Sequence, residues 1–291
     1  LGEEREQRAG DDAQTPGIQV ATVQEYLGSR TGLVEHFAHR EHRYVEVLCH
    51  LGAGFEPTIE THGARAFEGV IPDLDRHCAR LNRSATAMML QPTQPVETIM
   101  GLVKDGLKRF KSKEAIYIRP MYWADDGFVD VDPDTTKFAL AVYDAPMPAA
   151  KGFSVTCSPF RRPSLEYSPT DAKAACHYPN SARAMREARA RGFDNAVMLD
   201  PLSNVSELAT ANIWYARDGE VHTPVPNGTF LNGITRQRIA TLLREAGVKV
   251  HERSRKWKDF LEAEEVFSTG NWAKVAPITR GEERGLQPGP M

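Results

Sequence analysis

The sequence predicts an α+β protein with two unequal lobes. A few longer segments repeat apolar residues every three or four positions, which predicts helices, and many short β-branched and aromatic segments predict strands. A connection rich in proline and small residues, PMPAAKG at 146–152, separates two groups of these elements. We therefore expect a smaller first lobe at 61–145 and a larger second lobe at 153–291. Residues 1–60 form a divergent N-terminal segment, expected to be partly disordered because 3–15 is strongly polar.

The first lobe is predicted to contain two amphipathic helices followed by two strands. The helices cover DLDRHCARLNRSATAMML and residues 95–110. Their buried faces carry apolar residues at helical spacing, namely Leu74, Cys78, Leu81 and Ala85 in the first helix and Ile99, Leu102, Val103 and Leu107 in the second. The segments AIYIRPMYW and KFALAVYDA are predicted strands because β-branched and aromatic residues dominate them.

The second lobe is predicted to mix short strands with two helices. The helices are NSARAMREARARG, ended by Gly192, and GITRQRIATLLREAG, ended by Gly247. NIWYARDGEVHTP is predicted to be a hairpin with Asp218 and Gly219 at its tip. The remaining predicted strands lie in FSVTCS, NAVMLD, LSNVSE, VKVHERS, EEVFSTG and AKVAPIT.

Composition limits the class of protein. The chain has 291 residues, of which 41% are hydrophobic and 26% charged, as in soluble globular proteins. A net charge of −3 gives no support to a nucleic-acid or anionic membrane partner. No apolar run approaches the roughly 18 to 20 residues of a membrane span, and the polar start LGEEREQRAGDD does not resemble a signal peptide. We therefore expect a cytoplasmic protein.

Cysteine and histidine give little support to a metal site. Four cysteines, Cys49, Cys78, Cys157 and Cys176, form no CxxC pair and are expected to be free thiols. The spacing of His36, His39 and His42 fits one face of a helix, but no cysteine or carboxylate set completes a site. We interpret these histidines as a solvated helix face and expect no metal.

The residues that carry chemistry lie in three separated segments of the second lobe. Lys173 and Tyr178 occur in AKAACHYPNS, Glu207 in VSELATANIW and Thr235 in FLNGITR. They supply an amine, a phenol, a carboxylate and a phosphate-binding turn, which are the groups needed to hold and use pyridoxal phosphate. Gly233 permits the turn, and the N–H groups that follow point out of a helix start toward an anion. Each residue alone also fits an ordinary role, with Thr235 as a helix cap and the lysine and glutamate on the surface.

The order and spacing of these segments resemble the class IV, or fold-type IV, pyridoxal-phosphate enzymes, the superfamily of branched-chain and D-amino-acid aminotransferases. Family-like elements in the first lobe are HGARAFEG, HCARL and the YIRP strand, and in the second lobe KAACHY, SELATAN, NGITR and EVFSTGNWAKVAPIT. The resemblance extends over about residues 62–280. It implies a small N-terminal α/β lobe, a larger cofactor-binding lobe with a β-barrel-like core, and a homodimer.

The resemblance also implies roles for single residues. Lys173 is expected to be the catalytic lysine, which forms the Schiff base with pyridoxal 5′-phosphate. The residues expected to bind the cofactor are Arg80, Tyr178, Glu207, Ile234, Thr235, Thr269 and Asn271. Those expected on the substrate side are Phe67, Arg119 and Trp272.

The implied function is transamination between an amino acid or amine and a 2-keto acid, with a branched-chain-like preference. Four departures from the family pattern affect the substrate side and the local geometry: His62 replaces a tyrosine, Arg65 a small residue, Leu208 a glycine and Asn271-Trp272 a Thr-Ala pair. Alternatives that stay open are a D-amino-acid or (R)-amine transaminase, an aminodeoxychorismate lyase-like enzyme, and a catalytically impaired protein that only binds the cofactor.

Overall fold

A computed structural model describes residues 19–22, 60–61, 63–110 and 114–289. Within these residues two β-sheets form, one for each predicted lobe. His36, His39, His42 and the polar segment 3–15 lie outside the described residues, so the predictions made for them stay predictions. No helix of the described ranges is long and apolar enough to cross a membrane.

The first sheet is small and mostly antiparallel. Its strands are β1 (Gln19–Thr22), β2 (Glu60–Thr61), β3 (Ala64–Ala66), β4 (Ile116–Ala124) and β5 (Thr136–Asp144). The order is β1-β5-β4-β2, with β3 also paired to β4. The long β4 and β5 strands pair along their whole length, which makes them the frame of this lobe.

Two helices cover the first sheet, α1 (Leu74–Ala87) and α2 (Val96–Leu107). The apolar stripe predicted for each helix enters the core, where Leu81 and Ile99 are fully buried against Ile118 of β4. Burial of such side chains contributes roughly 1.5–3 kcal/mol each, so this contact fixes α1 on the sheet. A second part of α1, carrying His77 and Arg80, is also buried.

The second sheet has nine strands. They are β6 (Phe153–Arg161), β7 (Asn195–Leu199), β8 (Val205–Leu208), β9 (Asn212–Arg217), β10 (Glu220–Thr223), β11 (Val250–Glu252), β12 (Glu265–Gly270), β13 (Lys274–Gly281) and β14 (Arg284–Gly285). The order is β11-β10-β9-β12-β13-β6-β7-β8, with β14 paired to β13. A tight turn joins β8 to β9, and the Leu208 N–H donates to the Ala211 carbonyl at 2.8 Å. The sheet therefore curls until its β8 and β9 strands are adjacent, which confirms the predicted barrel-like core.

Three helices belong to the second sheet: α3 (Tyr178–Ala190), α4 (Ile234–Glu245) and the short α5 (Trp257–Leu261). The predicted hairpin tip is confirmed, because Asp218 and Gly219 have φ angles of 53° and 73°, as a two-residue turn between twisted strands requires. Every predicted element of the two lobes is present. The sequence analysis placed none at β1, β2, β3, β14 or α5, each of which has five residues or fewer.

Candidate active site

A cavity lies between α1 of the first lobe and the curled second sheet. Its wall contains all eight residues that were predicted to carry catalysis or bind the cofactor, namely Lys173, Arg80, Tyr178, Glu207, Ile234, Thr235, Thr269 and Asn271. Residues that are up to about 190 positions apart in the sequence, as Arg80 and Asn271 are, therefore lie around one cavity. Arg238 of α4 also donates to the Asp73 carboxylate at 3.1 Å, and this contact ties the start of α1 to α4.

Lys173 lies in the loop between β6 and α3, and Tyr178 is the first residue of α3. The Lys173 Nζ is 3.3 Å from the Tyr178 hydroxyl. The Lys173 backbone N–H donates to Ser84 Oγ on α1 at 3.1 Å, which fixes the loop against the first lobe. The Lys173 charge is the main cause that lowers the pKa of Tyr178, and Arg119 and Arg80 lower it further. The Tyr178 hydroxyl can thus stabilise a charged group that lies next to it.

Glu207 lies on β8 and keeps only 9% of its surface exposed. Its Oε1 is 3.3 Å from the Arg162 Nε, and its Oε2 accepts a hydrogen bond from Asn212 at 3.3 Å. Burial raises the pKa of Glu207 to about 7, although the charges of Arg162 and Lys173 act in the opposite direction. A cationic group placed in the cavity would favour the ionised carboxylate.

Arg162 is a residue that the sequence analysis missed. It is 6% exposed, lines the cavity and donates from Nε to the Thr229 carbonyl at 3.1 Å. Its only signal in the sequence is its place in the Arg161–Arg162 pair directly after a strand, which does not distinguish a buried arginine from a surface one.

The start of α4 forms an anion cradle. The backbone N–H groups of Ile234 and Thr235 belong to the first turn, where a helix provides no carbonyl partner for them. No side chain among the described residues caps this start, and Gly233 occupies the N-cap position. The alternative that Thr235 caps the helix is therefore wrong, since Thr235 lies inside it.

Gly233 is needed for a reason other than the one predicted. Its φ of −59° is accessible to every residue, so conformational freedom does not explain the glycine. A Cβ at this position would lie 2.3 Å from Asn212 Oδ1. Asn212 in turn donates to Glu207 and to the Leu231 carbonyl. The glycine thus allows the cradle to approach the residues that hold Glu207.

Arg80 contributes a buried cation to the same cavity. It is 7% exposed, and burial lowers its pKa to about 10. It therefore stays protonated at neutral pH, so that the cavity wall carries a cation in addition to the N–H groups at the α4 start.

His77 lies three residues before Arg80 on α1 and was also missed as a site residue. It lines the cavity and is 3% exposed, and its Nδ1 has no hydrogen-bond partner among the described residues. Burial, followed by the charges of Arg80 and Lys274, holds the pKa of His77 well below its usual value. The imidazole is thus neutral at pH 7, with one ring nitrogen as a donor and the other as an acceptor.

Thr269 and Asn271 close another part of the wall. Thr269 is 1% exposed and its Oγ1 accepts a hydrogen bond from Trp214 Nε1 at 2.8 Å. Asn271 follows β12 in the turn that leads to β13, and its Oδ1 accepts from Lys274 Nζ at 2.7 Å. Its buried Nδ2 has no partner among the described atoms.

The three residues predicted on the substrate side are not in the described wall of this cavity. Phe67 lies 5.6 Å from the ammonium of Lys274, measured to the ring centroid. Trp272 is 54% exposed and covers the guanidinium of Arg65 at 4.7 Å. Arg119 is close enough to lower the pKa of Tyr178. Phe67 and Trp272 thus lie near the turn in which Asn271 leads into β13.

These residues fit pyridoxal 5′-phosphate. The cavity offers an amine for its aldehyde, a carboxylate for its ring nitrogen and a helix start with an arginine for its phosphate. Two buried nitrogen atoms of the wall, His77 Nδ1 and Asn271 Nδ2, lack partners in the described part of the chain, as expected where a polar ligand completes the hydrogen bonds.

A second group of side chains gathers at the edge of the second sheet. Glu220, His222 and His251 lie close enough together to suggest a metal site. However, the two imidazole rings stack at 4.7 Å with an angle of 15°, so their nitrogen lone pairs run parallel instead of converging. Lys249 also donates to Glu220 at 2.8 Å. We interpret the group as an ion-paired aromatic stack, and the absence of a metal stays a prediction.

Comparison with known proteins decides the family. The family model for amino-transferase class IV matches residues 60–280. This chain belongs to that family. Class IV aminotransferases use pyridoxal 5′-phosphate, so the predicted family, aminotransferase activity and cofactor are confirmed.

Solved structures and curated relatives agree with this assignment. An aminotransferase from Brucella abortus bound to pyridoxal phosphate is 55% identical, with a TM-score of 0.78 over 79% of this chain and 84% of that chain. The branched-chain aminotransferase of Thermoproteus uzoniensis with norvaline is 30% identical, with a TM-score of 0.74 over 80% of this chain and 81% of that chain. A probable branched-chain-amino-acid aminotransferase of Rickettsia conorii is 30% identical over 84% of this chain and 83% of its own length. The class IV fold of this aminotransferase is thus confirmed, while the roles of its single residues stay predictions.

Proposed function

We propose that this class IV aminotransferase exchanges the amino group between α-amino acids and 2-keto acids, with a branched-chain-like preference, through a Schiff base on Lys173. The observation that carries the proposal is the placement of the Lys173 amine 3.3 Å from the Tyr178 hydroxyl, in a cavity that also contains Glu207 and the α4 start. Branched-chain aminotransferases among the relatives support the substrate class.

The phosphate of the cofactor would be held by Arg80 and by the N–H groups of Ile234 and Thr235. Charge-assisted hydrogen bonds of this kind contribute roughly 1.5–3 kcal/mol each. They would fix the cofactor at its phosphate end, in the same cavity as the Lys173 amine that would react with its aldehyde.

Glu207 would hold the ring nitrogen in its protonated state. Bound pyridoxal phosphate supplies an electron sink, which a protonated ring deepens. Arg162 and Asn212 orient the two carboxylate oxygens of Glu207, so that the carboxylate cannot turn away from the ring. Tyr178 would donate its phenol to the ring oxygen next to the reactive carbon.

Lys173 has two tasks in this arrangement. Its amine would hold the cofactor through the aldehyde, and the free amine would take up and return the proton of the substrate Cα. The second task requires a neutral amine.

We also propose that the enzyme is a homodimer. The loop between β4 and β5 exposes Phe128 and Val129, which keep 82% and 89% of their surface. Exposed neighbouring apolar residues of this kind often mark a protein contact. Light scattering should give twice the chain mass for wild type, and Phe128→Asp should shift the protein toward the monomer; a monomeric and fully active wild type would contradict the dimer.

A donor and acceptor panel tests the proposed activity. Purified protein loaded with pyridoxal phosphate should convert branched-chain α-amino acids to keto acids only while a keto-acid acceptor is present. Turnover that needs no acceptor would indicate a lyase, and turnover restricted to D-amino acids or (R)-amines would contradict the branched-chain preference.

A further inference from the structure

We infer that Lys274 and Arg65 form a cationic pair that binds a carboxylate of the substrate, so that the enzyme selects amino and keto acids over simple amines. The inference rests on the proposed function, because it names the ligand group of the same site. It concerns two residues for which neither the resemblance nor the comparisons provide a role.

Lys274 is held at the border of the cavity. It is the first residue of β13, directly after the turn that contains Asn271 and Trp272. Its φ is 59°, a left-handed conformation that residues with a Cβ rarely adopt. This conformation brings Nζ within 2.7 Å of Asn271 Oδ1, and Asn271 lines the cavity. The charge of Lys274 also contributes to the lowered pKa of His77, which lines the same cavity as Asn271.

Arg65 provides the second cation. It lies in β3 and is fully buried. One nitrogen donates to the Ala145 carbonyl at 2.9 Å, while Nε is buried without a partner among the described residues. The Trp272 ring covers the guanidinium at 4.7 Å, and the Tyr117 ring lies at 5.5 Å. The two rings exclude water from the guanidinium, and the lower local dielectric strengthens its electrostatic interaction with other charges.

The two cations lack an anionic partner in the described part of the chain. Neither forms an ion pair there with any carboxylate within 4.0 Å, whereas both buried arginines described in the second lobe do, Arg162 with Glu207 and Arg236 with Glu252. Burial and the charge of Arg65 lower the pKa of Lys274 to about 8, and Asp73 only partly offsets this. An uncompensated pair of this kind is unfavourable unless an anion binds to it.

A substrate carboxylate is a better candidate for the anion that binds to Lys274 and Arg65 than the cofactor phosphate is. The phosphate would already be bound by Arg80 and the α4 start, which line the cavity. Lys274 instead packs against Phe67, and Arg65 against Trp272, the residues predicted to face the substrate. The carboxylate is either the α-carboxylate, which every α-amino acid has, or the second carboxylate of a dicarboxylic acid. Both are carboxylates and would bind the two cations in the same way, and the experiment below distinguishes between them.

The test is a binding titration of the protein loaded with pyridoxal phosphate. The probes are 4-methylpentanoate with one carboxylate, glutarate with two, and the neutral 4-methylpentanamide, each followed by cofactor absorbance or calorimetry. None has the amino group that reacts, so the result does not depend on turnover. A failure of the carboxylate pair is therefore distinguishable from a failure of the proposed transamination.

We expect Lys274→Met to weaken binding of 4-methylpentanoate by about tenfold or more, since loss of one charge-assisted contact corresponds to at least that factor. Lys274→Arg should restore most of the affinity, and binding of the amide should stay unchanged. Lys151→Met, at an exposed lysine outside the cavity, is the matched control. Arg65→Lys is a second variant, because the fully buried Arg65 tolerates truncation poorly.

A loss confined to glutarate would support the pair as the site of a second carboxylate in dicarboxylic substrates. Unchanged carboxylate binding in Lys274→Met, or an equal loss for the carboxylate and the amide, would overturn the inference.

Discussion

The carboxylate of Glu207 lies 3.3 Å from the guanidinium of Arg162, and both side chains are buried in the wall of the active-site cavity. The arginine does not cancel the effect of burial, since the pKa of Glu207 stays raised to about 7. In the absence of a further cation the carboxylate is thus only partly ionised near neutral pH. A protonated pyridine nitrogen would supply that cation and would at the same time be stabilised by Glu207.

Replacement of Glu207 tests this coupling. Glu207→Gln keeps the shape and the hydrogen bond from Asn212 but removes the charge. We expect removal of the substrate α-proton to slow by about tenfold or more, a barrier increase of roughly 1.4 kcal/mol or more, with a much smaller loss of cofactor affinity. Single-turnover spectroscopy with an α-amino acid measures the rate. A wild-type rate in this variant would exclude the proposed role.

Arg80 is predicted to determine how tightly the cofactor binds. Arg80→Ala should raise the dissociation constant of pyridoxal phosphate by about tenfold or more, because the variant loses a charge-assisted contact worth at least roughly 1.4 kcal/mol. Arg83→Ala, an exposed arginine one turn away on the same helix, is the control and should bind like wild type. Equal affinities for the two variants would show that the phosphate lies elsewhere. Equilibrium dialysis or fluorescence quenching gives both constants.

Gly233 is predicted to be required because a side chain at this position has no room. In Gly233→Ala the new Cβ would lie 2.3 Å from Asn212 Oδ1, so Asn212 must move and release Glu207. We expect a stability loss of about 1–3 kcal/mol together with weaker cofactor binding. Gly101→Ala is the matched control, because its Cβ meets no atom within 4 Å in α2 and should stabilise the helix by about 0.5–1 kcal/mol. Urea unfolding compares the two; a stable Gly233→Ala variant with normal affinity would contradict the packing argument.

Carboxylate binding should depend on the protonation of Lys274. The pKa of this lysine is lowered to about 8, so its charge is complete well below pH 8 and is lost as the pH rises through that value. The other groups that face the ammonium are Arg65, which lowers its pKa further, Asp73, which raises it, and His77, which is neutral in this range. The dissociation constant of 4-methylpentanoate should therefore increase between pH 7 and pH 9. A flat profile in wild type, or the same slope in Lys274→Met, would disprove this dependence.

Much of the cavity could be predicted from the sequence because its residues lie in local patterns. Lys173 and Tyr178 are separated by one short loop, and the cradle at Ile234 and Thr235 follows from a glycine and the start of a helix. Such features depend on neighbours in the chain, which the sequence displays directly.

The residues that were missed depend on contacts between distant segments. Arg162 and Lys274 are ordinary basic residues in the sequence. Only the curled sheet brings Arg162 into the cavity wall, and only the turn after β12 brings Lys274 to Asn271. Gly233 was predicted to be needed for its backbone, whereas the structure assigns the requirement to Asn212, 21 positions earlier in the sequence. Long-range packing of this kind leaves no periodic or spacing signal.

The identity of the lysine that binds the cofactor is the central claim, and reduction with borohydride tests it most directly. Reduction of the protein loaded with pyridoxal phosphate, followed by peptide mass spectrometry, should find the cofactor fixed on the peptide that contains Lys173, and Lys173→Ala should carry no label. Attachment to Lys274, Lys151 or any other lysine, or the absence of any label in wild type, would contradict the account.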